Sequence, residues 1–146
     1  MNFTLTIGDW STQQAAAKDI RYDVFVVEQN VPIELEWDDA DPVSLHAIVC
    51  DEAGRPVGTG RLLPDGYIGR MAVQASARGE GVGAAILTAL MHEAEDRGES
   101  AVRLHAQLHA EAFYARFGFV RDGAQFMEAG IPHVLMWRSL RRTSRR

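Results

Sequence analysis

Residues 78–83 read RGEGVG. They follow an apolar run ending at Val73 and precede a long amphipathic stretch from about Val82 to Arg97. A strand that hands over to a helix through glycines has a specific chemical use. The first N–H groups of a helix have no intrahelical partner, and the helix dipole places partial positive charge there. Glycines let an anionic ligand approach the backbone without meeting a Cβ, so the arrangement is a candidate phosphate cradle. Arg78 adds a full positive charge at its entrance. A Walker loop would need Lys and then Ser or Thr after the glycines, but Ala84 and Ala85 follow Gly83. The spacing of Gly79, Gly81 and Gly83 also departs from the G-x-G-x-x-G of a dinucleotide fold. A plain tight turn is the other reading of the same residues.

The remaining chemistry-bearing side chains are scattered. Glu34, Glu36, Asp38, Asp39 and Asp41 fall in a stretch without a base, which reads as a solvated loop or as an acidic rim to a cleft. His133 has the side-chain type whose ordinary pKa lies near neutrality. His46 and His105 sit in strand-like runs and are expected to be structural, hydrogen-bonded histidines. The histidines do not cluster with cysteine or acids at metal-ligand spacing, so no metal is expected. Cys50 is the lone cysteine and, in HAIVC, is expected to be a buried thiol.

The elements that must position these groups can be read from periodicity. NFTLTI alternates as a half-buried strand. Ser11 or Thr12 is a candidate cap for a helix to about Val27, with Ala16, Ile20, Val24 and Val27 on its apolar stripe. LHAIVC and PVGTGRLL flank a turn at Gly54 and read as a hairpin, and YIGRMAV is a further strand. In the helix after the glycine loop, Ile86, Leu87, Leu90, Met91 and Ala94 share a face, and Gly98 ends it. AVRLHAQ is a strand, HAEAFYARFG a short helix, and FVRDGAQFM and PHVLMWRSL two more strands. The order predicts an α/β or α+β domain with a mixed, mostly antiparallel sheet flanked by helices.

Bulk properties fit that reading. The 146 residues suggest one domain, 1–140, with a basic tail at 141–146 expected to be disordered. The composition is 47% hydrophobic and 24% charged, ordinary for a soluble protein. A net charge of −5 argues against nucleic acid as a partner. No apolar run is long enough for a membrane span, and the N-terminus lacks a signal-peptide pattern. With a single cysteine, a cytoplasmic location is expected.

Five stretches in order carry a resemblance: VFVVEQNVP (24–32), IGRMAV (68–73), RGEGVG, HAQLHAEAFYARFGF (105–119) and EAGIPHVLMW (128–137). Together they resemble the GCN5-related N-acetyltransferases, and within them the ElaA-like branch, over nearly the whole chain. The resemblance implies a sheet splayed between strands 66–74 and 101–107, with acetyl-CoA as cosubstrate in the gap. Arg78, Gly79, Glu80, Gly81, Val82, Gly83 and Ala84 would cradle its pyrophosphate. Met71, Ala72 and Val73 would pair with the pantetheine arm, the Val73 N–H would polarise the acetyl carbonyl, and Phe113 and Tyr114 would flank the cofactor. Tyr114 matches the family's general acid. Glu28 and His133 are candidate bases. Glu28, Glu36, Asp38, Gln107 and His133 are expected around an acceptor, an amine-bearing small molecule or peptide.

Three rival readings share parts of this pattern. Arg21, Phe25, Trp37, Asp38, Asp41 and Arg61 superficially resemble the N-terminal pattern of acyl-homoserine-lactone synthases; an ion pair between the arginines and nearby acids is the plainer explanation. A non-catalytic acyl-CoA-binding module would have the same cradle but no need for Tyr114. A toxin-type acetyltransferase acting on aminoacyl-tRNA would want a basic stripe. A homodimer is expected to use PHVLMWRSL as an exposed last strand.

Overall fold

The computed structural model describes residues 1–140; the basic tail, 141–146, lies outside the described residues. Eight strands form two antiparallel sheets. In the first, β1 (Phe3–Gly8), β2 (Leu45–Asp51), β3 (Pro56–Leu62) and β4 (Ile68–Val73) lie in that order. In the second, β5 (Ala101–Gln107) pairs with β8 (Ile131–Ser139), and β8 pairs on its other side with β6 (Val120–Arg121) and β7 (Phe126–Glu128). The sheets meet where β4 and β5 run parallel. They touch through a bridge between Tyr67 and Arg103, where the Arg103 N–H donates to Gly66 O at 3.1 Å. Beyond that fork the two strands separate, and the gap opens toward Val73 and Gln107. This is the α/β architecture with a splayed sheet that the sequence predicts.

Helix α2 (Val82–Asp96) covers one face. Its Ile86, Leu87, Leu90 and Ala94 are fully buried against both sheets, as the periodicity requires. Its close approach depends on β3. A Cβ on Gly58 would stand 2.6 Å from Val82 Cγ1, and one on Gly60 2.7 Å from Ile86 Cγ2. Two glycines on adjacent same-face positions thus let the helix sit down on the strand and set the height of its N-terminus.

Helix α1 (Trp10–Arg21) covers the opposite face. Its cap is Asp9, whose carboxylate accepts the Thr12 N–H at 3.0 Å, rather than Ser11 or Thr12. Ser11 and Thr12 already lie in the first turn, where their hydroxyls donate to the Asp9 carboxylate at 2.9 and 3.0 Å. From Tyr22 to Glu28 the helix winds wider, and Gln29 N–H reaches back to Val24 O. The wider winding shifts the phase. Ala17, Ile20 and Val24 are buried, but Val27 is 60% exposed instead of continuing the stripe.

Three further expectations need correction. FVRDGAQFM is not one strand: β6 and β7 are separated at Asp122–Gln125, a segment with Gly123 at a positive φ. β8 is interior, with partners on both edges, so its backbone is not free to pair with a second copy. Cys50 is half-buried rather than fully enclosed, because it lies near the end of β2 opposite Thr4. Helix α3 (Glu111–Ala115) and a preceding helical turn, Leu108–Ala110, connect β5 to β6.

Candidate active site

The gap between β4 and β5 widens into a cavity of about 900 Å³. Of the residues expected at the site, Glu28, Glu36, Met71, Ala72, Val73, Arg78, Gln107, Tyr114 and His133 line it. The glycine loop abuts its mouth: a Cβ on Gly83 would sit 3.6 Å from Phe113 Cζ and 3.9 Å from Val73 Cγ2. Asp38 is not among the lining residues.

The loop is built as an anion site. Gly81 is the residue before α2, with φ of 86°, and no side chain caps the helix. The N–H groups of the first turn are therefore open to a ligand. Gly79 is also left-handed, with φ of 78°. A Cβ at Gly79 or Gly81 would meet nothing within 4 Å, so the backbone conformation, not crowding within the protein, demands glycine there. These features fit a CoA pyrophosphate at residues 78–84. Arg78 donates through Nε to Val73 O at 3.0 Å, and its two terminal nitrogens grip the Glu28 carboxylate at 2.7 Å each. That pairing holds Glu28 below its usual range. Gln29 and Gln107 exchange an amide hydrogen bond of 2.9 Å beside it.

β4 is irregular where it faces the gap. Its register against β3 shifts between Thr59 and Arg61, and Arg70 is left-handed with φ of 49°. Such a bulge turns backbone groups off the ladder and toward the cavity. Tyr114 stands over this stretch, its hydroxyl 3.8 Å from Met71 Sδ and its ring packed edge-on against Phe113 and Phe119. Burial pushes the phenol up to about 12, so it holds its proton at neutral pH. His133 is buried, and its Nδ1–H donates to Ile131 O at 2.7 Å, which leaves Nε2 as an acceptor.

Two carboxylates of the acidic segment, Glu36 and Asp41, are 1% exposed and belong neither to a solvated loop nor to an electronegative rim. Arg21, 1% exposed, lies between the Trp10 and Trp37 rings and binds the carboxylates of Glu36 and Asp41, the latter at 3.0 and 2.9 Å. Arg61 bridges Asp41 at 2.8 Å and Asp38 at 2.6 Å, and Arg70 adds a 3.1 Å contact to Asp38. Arg61, aided by Arg70 and against the opposing effect of burial, draws Asp38 down to about 2. Glu36 and Asp38 are thus matched by arginines of the same protein and offer a cationic acceptor little unpaired charge. Arg21 and Arg61 are ion-paired, as the plainer reading of their pattern anticipated. His46, buried beneath this clasp, donates its Nε2–H to Asp41 O at 2.9 Å, while its Nδ1 has no partner. It is structural but only half satisfied.

Sequence reasoning missed Glu128. It lines the cavity and contacts His105 Nδ1 at 2.7 Å. His105 itself faces the cavity rather than serving only as a strand residue. Strand alternation placed His105 and Gln107 on one face; nothing local pointed to a carboxylate 23 residues away.

A family model of the acetyltransferase (GNAT) domain matches residues 12–140. The chain belongs to the GNAT acetyltransferase family. It is 44% identical over 121 residues to an uncharacterized N-acetyltransferase of Bacillus subtilis, YjcF, covering 80% of this chain and 86% of that protein. Among solved structures, an acyl-CoA N-acyltransferase from Pseudomonas aeruginosa superposes with a TM-score of 0.83 at 31% identity, covering 94% of this chain and 99% of that one. Escherichia coli ElaA superposes with the same score of 0.83 at 29% identity and the same coverage. This GNAT is accordingly an acyl-CoA-dependent acyltransferase acting on amine-bearing acceptors. Among its described residues, no group of three or more His, Cys, Asp or Glu is arranged to hold a metal, and no helix is long and apolar enough to cross a membrane.

Proposed function

We propose that the protein moves an acetyl group from acetyl-CoA to a primary amine of a small molecule or peptide, by direct attack within a ternary complex. The observation that carries this reading is the fork. β4 and β5 part to leave a gap that ends at an uncapped, glycine-fronted helix N-terminus, with a protonated tyrosine lining it.

Each residue has a distinct task in that reaction. Backbone N–H groups from Arg78 through Ala84 bind the pyrophosphate, and the exposed edge of β4 at Met71–Val73 pairs with the pantetheine arm. A backbone N–H of β4 near its irregularity at Arg70, farther from the cradle than Val73, polarises the thioester carbonyl as charge develops on its oxygen. Tyr114 delivers a proton to the departing thiolate; groups in such roles contribute about 10²–10⁴-fold. Phe113 packs against Tyr114, ring centres 5.1 Å apart, and keeps the phenol in place. Gln107, Glu28 and His133, which line the cavity, meet the incoming amine in this reading. A pure acyl-CoA-binding module would have no use for a buried, protonated tyrosine above the gap.

The test follows free thiol from acetyl-CoA across a panel of primary amines. Amine-dependent thiol release and a matching N-acetyl product are expected. Tight CoA binding with no release for any amine would favour the binding module instead.

A further inference from the structure

Side chains on the second sheet alternate, and directly opposed residues share a face. His105 and Gln107 of β5, Phe126 and Glu128 of β7 and His133 of β8 therefore lie on one face, by the pairings Gln107 with His133 and Phe126 with His133. His105, Gln107, Glu128 and His133 line the cavity. Glu128 is fixed by a two-residue hairpin turn in which Ala129 and Gly130 are both left-handed, at 51° and 77°.

Glu128 Oε1 lies 2.7 Å from His105 Nδ1, and Oε2 lies 3.9 Å from His133 Nε2. A carboxylate accepts, so the proton of the His105 contact is on Nδ1, and Nε2 is the ring's open acceptor. The ring is held edge-on by Tyr67 and Phe126, centroids 5.6 and 5.1 Å away. His105 and Glu128 are 40% and 39% exposed, whereas the His133 side chain is 8% exposed. Arg103, two residues back on the same face, marks the fork.

The dyad's place along the gap is as telling as its geometry. His105 is the first residue of that face beyond the fork, while the glycine loop lies past Val73 at the opposite, open end. From Gly69 to Val73 the strand spans about 13 Å at ~3.3 Å per residue. A CoA arm entering over RGEGVG and running along β4 brings its thioester toward the end where the dyad stands.

We propose that His105 Nε2 accepts a proton from the acceptor's ammonium group, and that Glu128 is the positioning residue that fixes the ring. This rests on the acetyl-transfer reading above. The ammonium gives one proton to Nε2, and the freed lone pair attacks the thioester carbonyl. The C–N bond forms, the C–S bond breaks, and the thiolate takes the Tyr114 proton. The attacking nitrogen then sheds its second proton, which restores Tyr114, and it keeps one as the amide N–H. The imidazolium returns its proton to water.

The experiment compares wild type, His105→Gln and Glu128→Gln with two probe amines, ethylamine, charged at neutral pH, and 2,2,2-trifluoroethylamine, largely neutral there. Calorimetric binding of CoA to each variant checks that the fold and cradle persist. Expected is a loss in kcat/KM of about 10²-fold or more for ethylamine, with the trifluoroethylamine rate nearly unchanged. Equal losses for both amines, or no loss for either, would overturn the assignment. If wild type with bound CoA releases thiol with no amine of the panel, these two included, the acetyl-transfer reading itself fails and the dyad's role goes with it. That outcome is separable because it appears before any substitution is made.

Discussion

Arg78 and Glu28 meet through two parallel contacts of 2.7 Å across the mouth of the cavity. The residue expected to greet the pyrophosphate and a residue considered as base are thus each other's partners. Both side chains are more than 40% exposed, so the pair is worth little net stability. An incoming anion competes with Glu28 for the guanidinium. Glu28→Gln is expected to leave CoA affinity unchanged or to raise it by up to about fivefold, given ~1 kcal/mol for such a pair. Arg78→Ala is expected to weaken it. Calorimetric titration with CoA reads both, and a large loss in Glu28→Gln would show that the carboxylate has a direct role.

Tyr114→Phe should bind acetyl-CoA like wild type and turn over about 10²–10⁴-fold more slowly. The phenol is pushed up to about 12 by burial. Its proton is therefore present throughout the physiological range, and any alkaline fall in kcat below that value belongs to another group. A variant with full turnover would remove Tyr114 from the proton-transfer role.

The glycines of the loop should respond differently. Gly81→Ala forces a Cβ onto a residue at φ of 86° and is expected to cost about 1–2 kcal/mol of stability. Gly83→Ala meets ordinary contacts at 3.6 Å and should fold normally, yet it places a methyl between Val73 and Phe113 at the cavity mouth. Thermal melts with and without CoA separate the two. Gly83→Ala should keep its melting temperature and lose part of the shift that CoA produces, whereas an intact shift would mean the ligand passes elsewhere.

Acid should loosen the arginine–carboxylate clasp in two windows. Burial, reinforced by Arg21 and Arg61, holds His46 below its ordinary 6.5. The unfolded chain then binds the extra proton first, so stability declines as pH falls below about 6.5. Asp38, drawn from 3.8 down to about 2 chiefly by Arg61, contributes stability present above its unfolded value and lost as pH falls toward 2. Asp38→Asn should flatten the lower window and leave the upper one, as followed by urea unfolding at stepped pH. An unchanged profile below pH 4 would show that Asp38 contributes nothing there.

What could be read in the sequence was local. RGEGVG and FYARFGF depend on spacing within a turn and a helix, and the apolar period of α2 was plain. Ion pairs of Arg21 and Arg61 with the nearby acids were legible, but the third arginine of the clasp, Arg70, was not, since it reaches Asp38 from a different strand. Glu128 was missed because its pairing with His105 depends on the register of β5, β8 and β7 together. The stripe on α1 failed at Val27 because periodicity assumes one winding, and this helix changes winding at Tyr22. Gly58 and Gly60 looked like ordinary strand residues, and only the packed helix reveals why a side chain is not tolerated there.

The fork at Tyr67 and Arg103 has one more consequence. Past it, β4 and β5 each present a bare edge to the other, and a bare edge is usually an invitation to another chain. Here the two edges face each other across an internal cavity, so a sheet left incomplete does not turn those edges outward to a neighbouring chain.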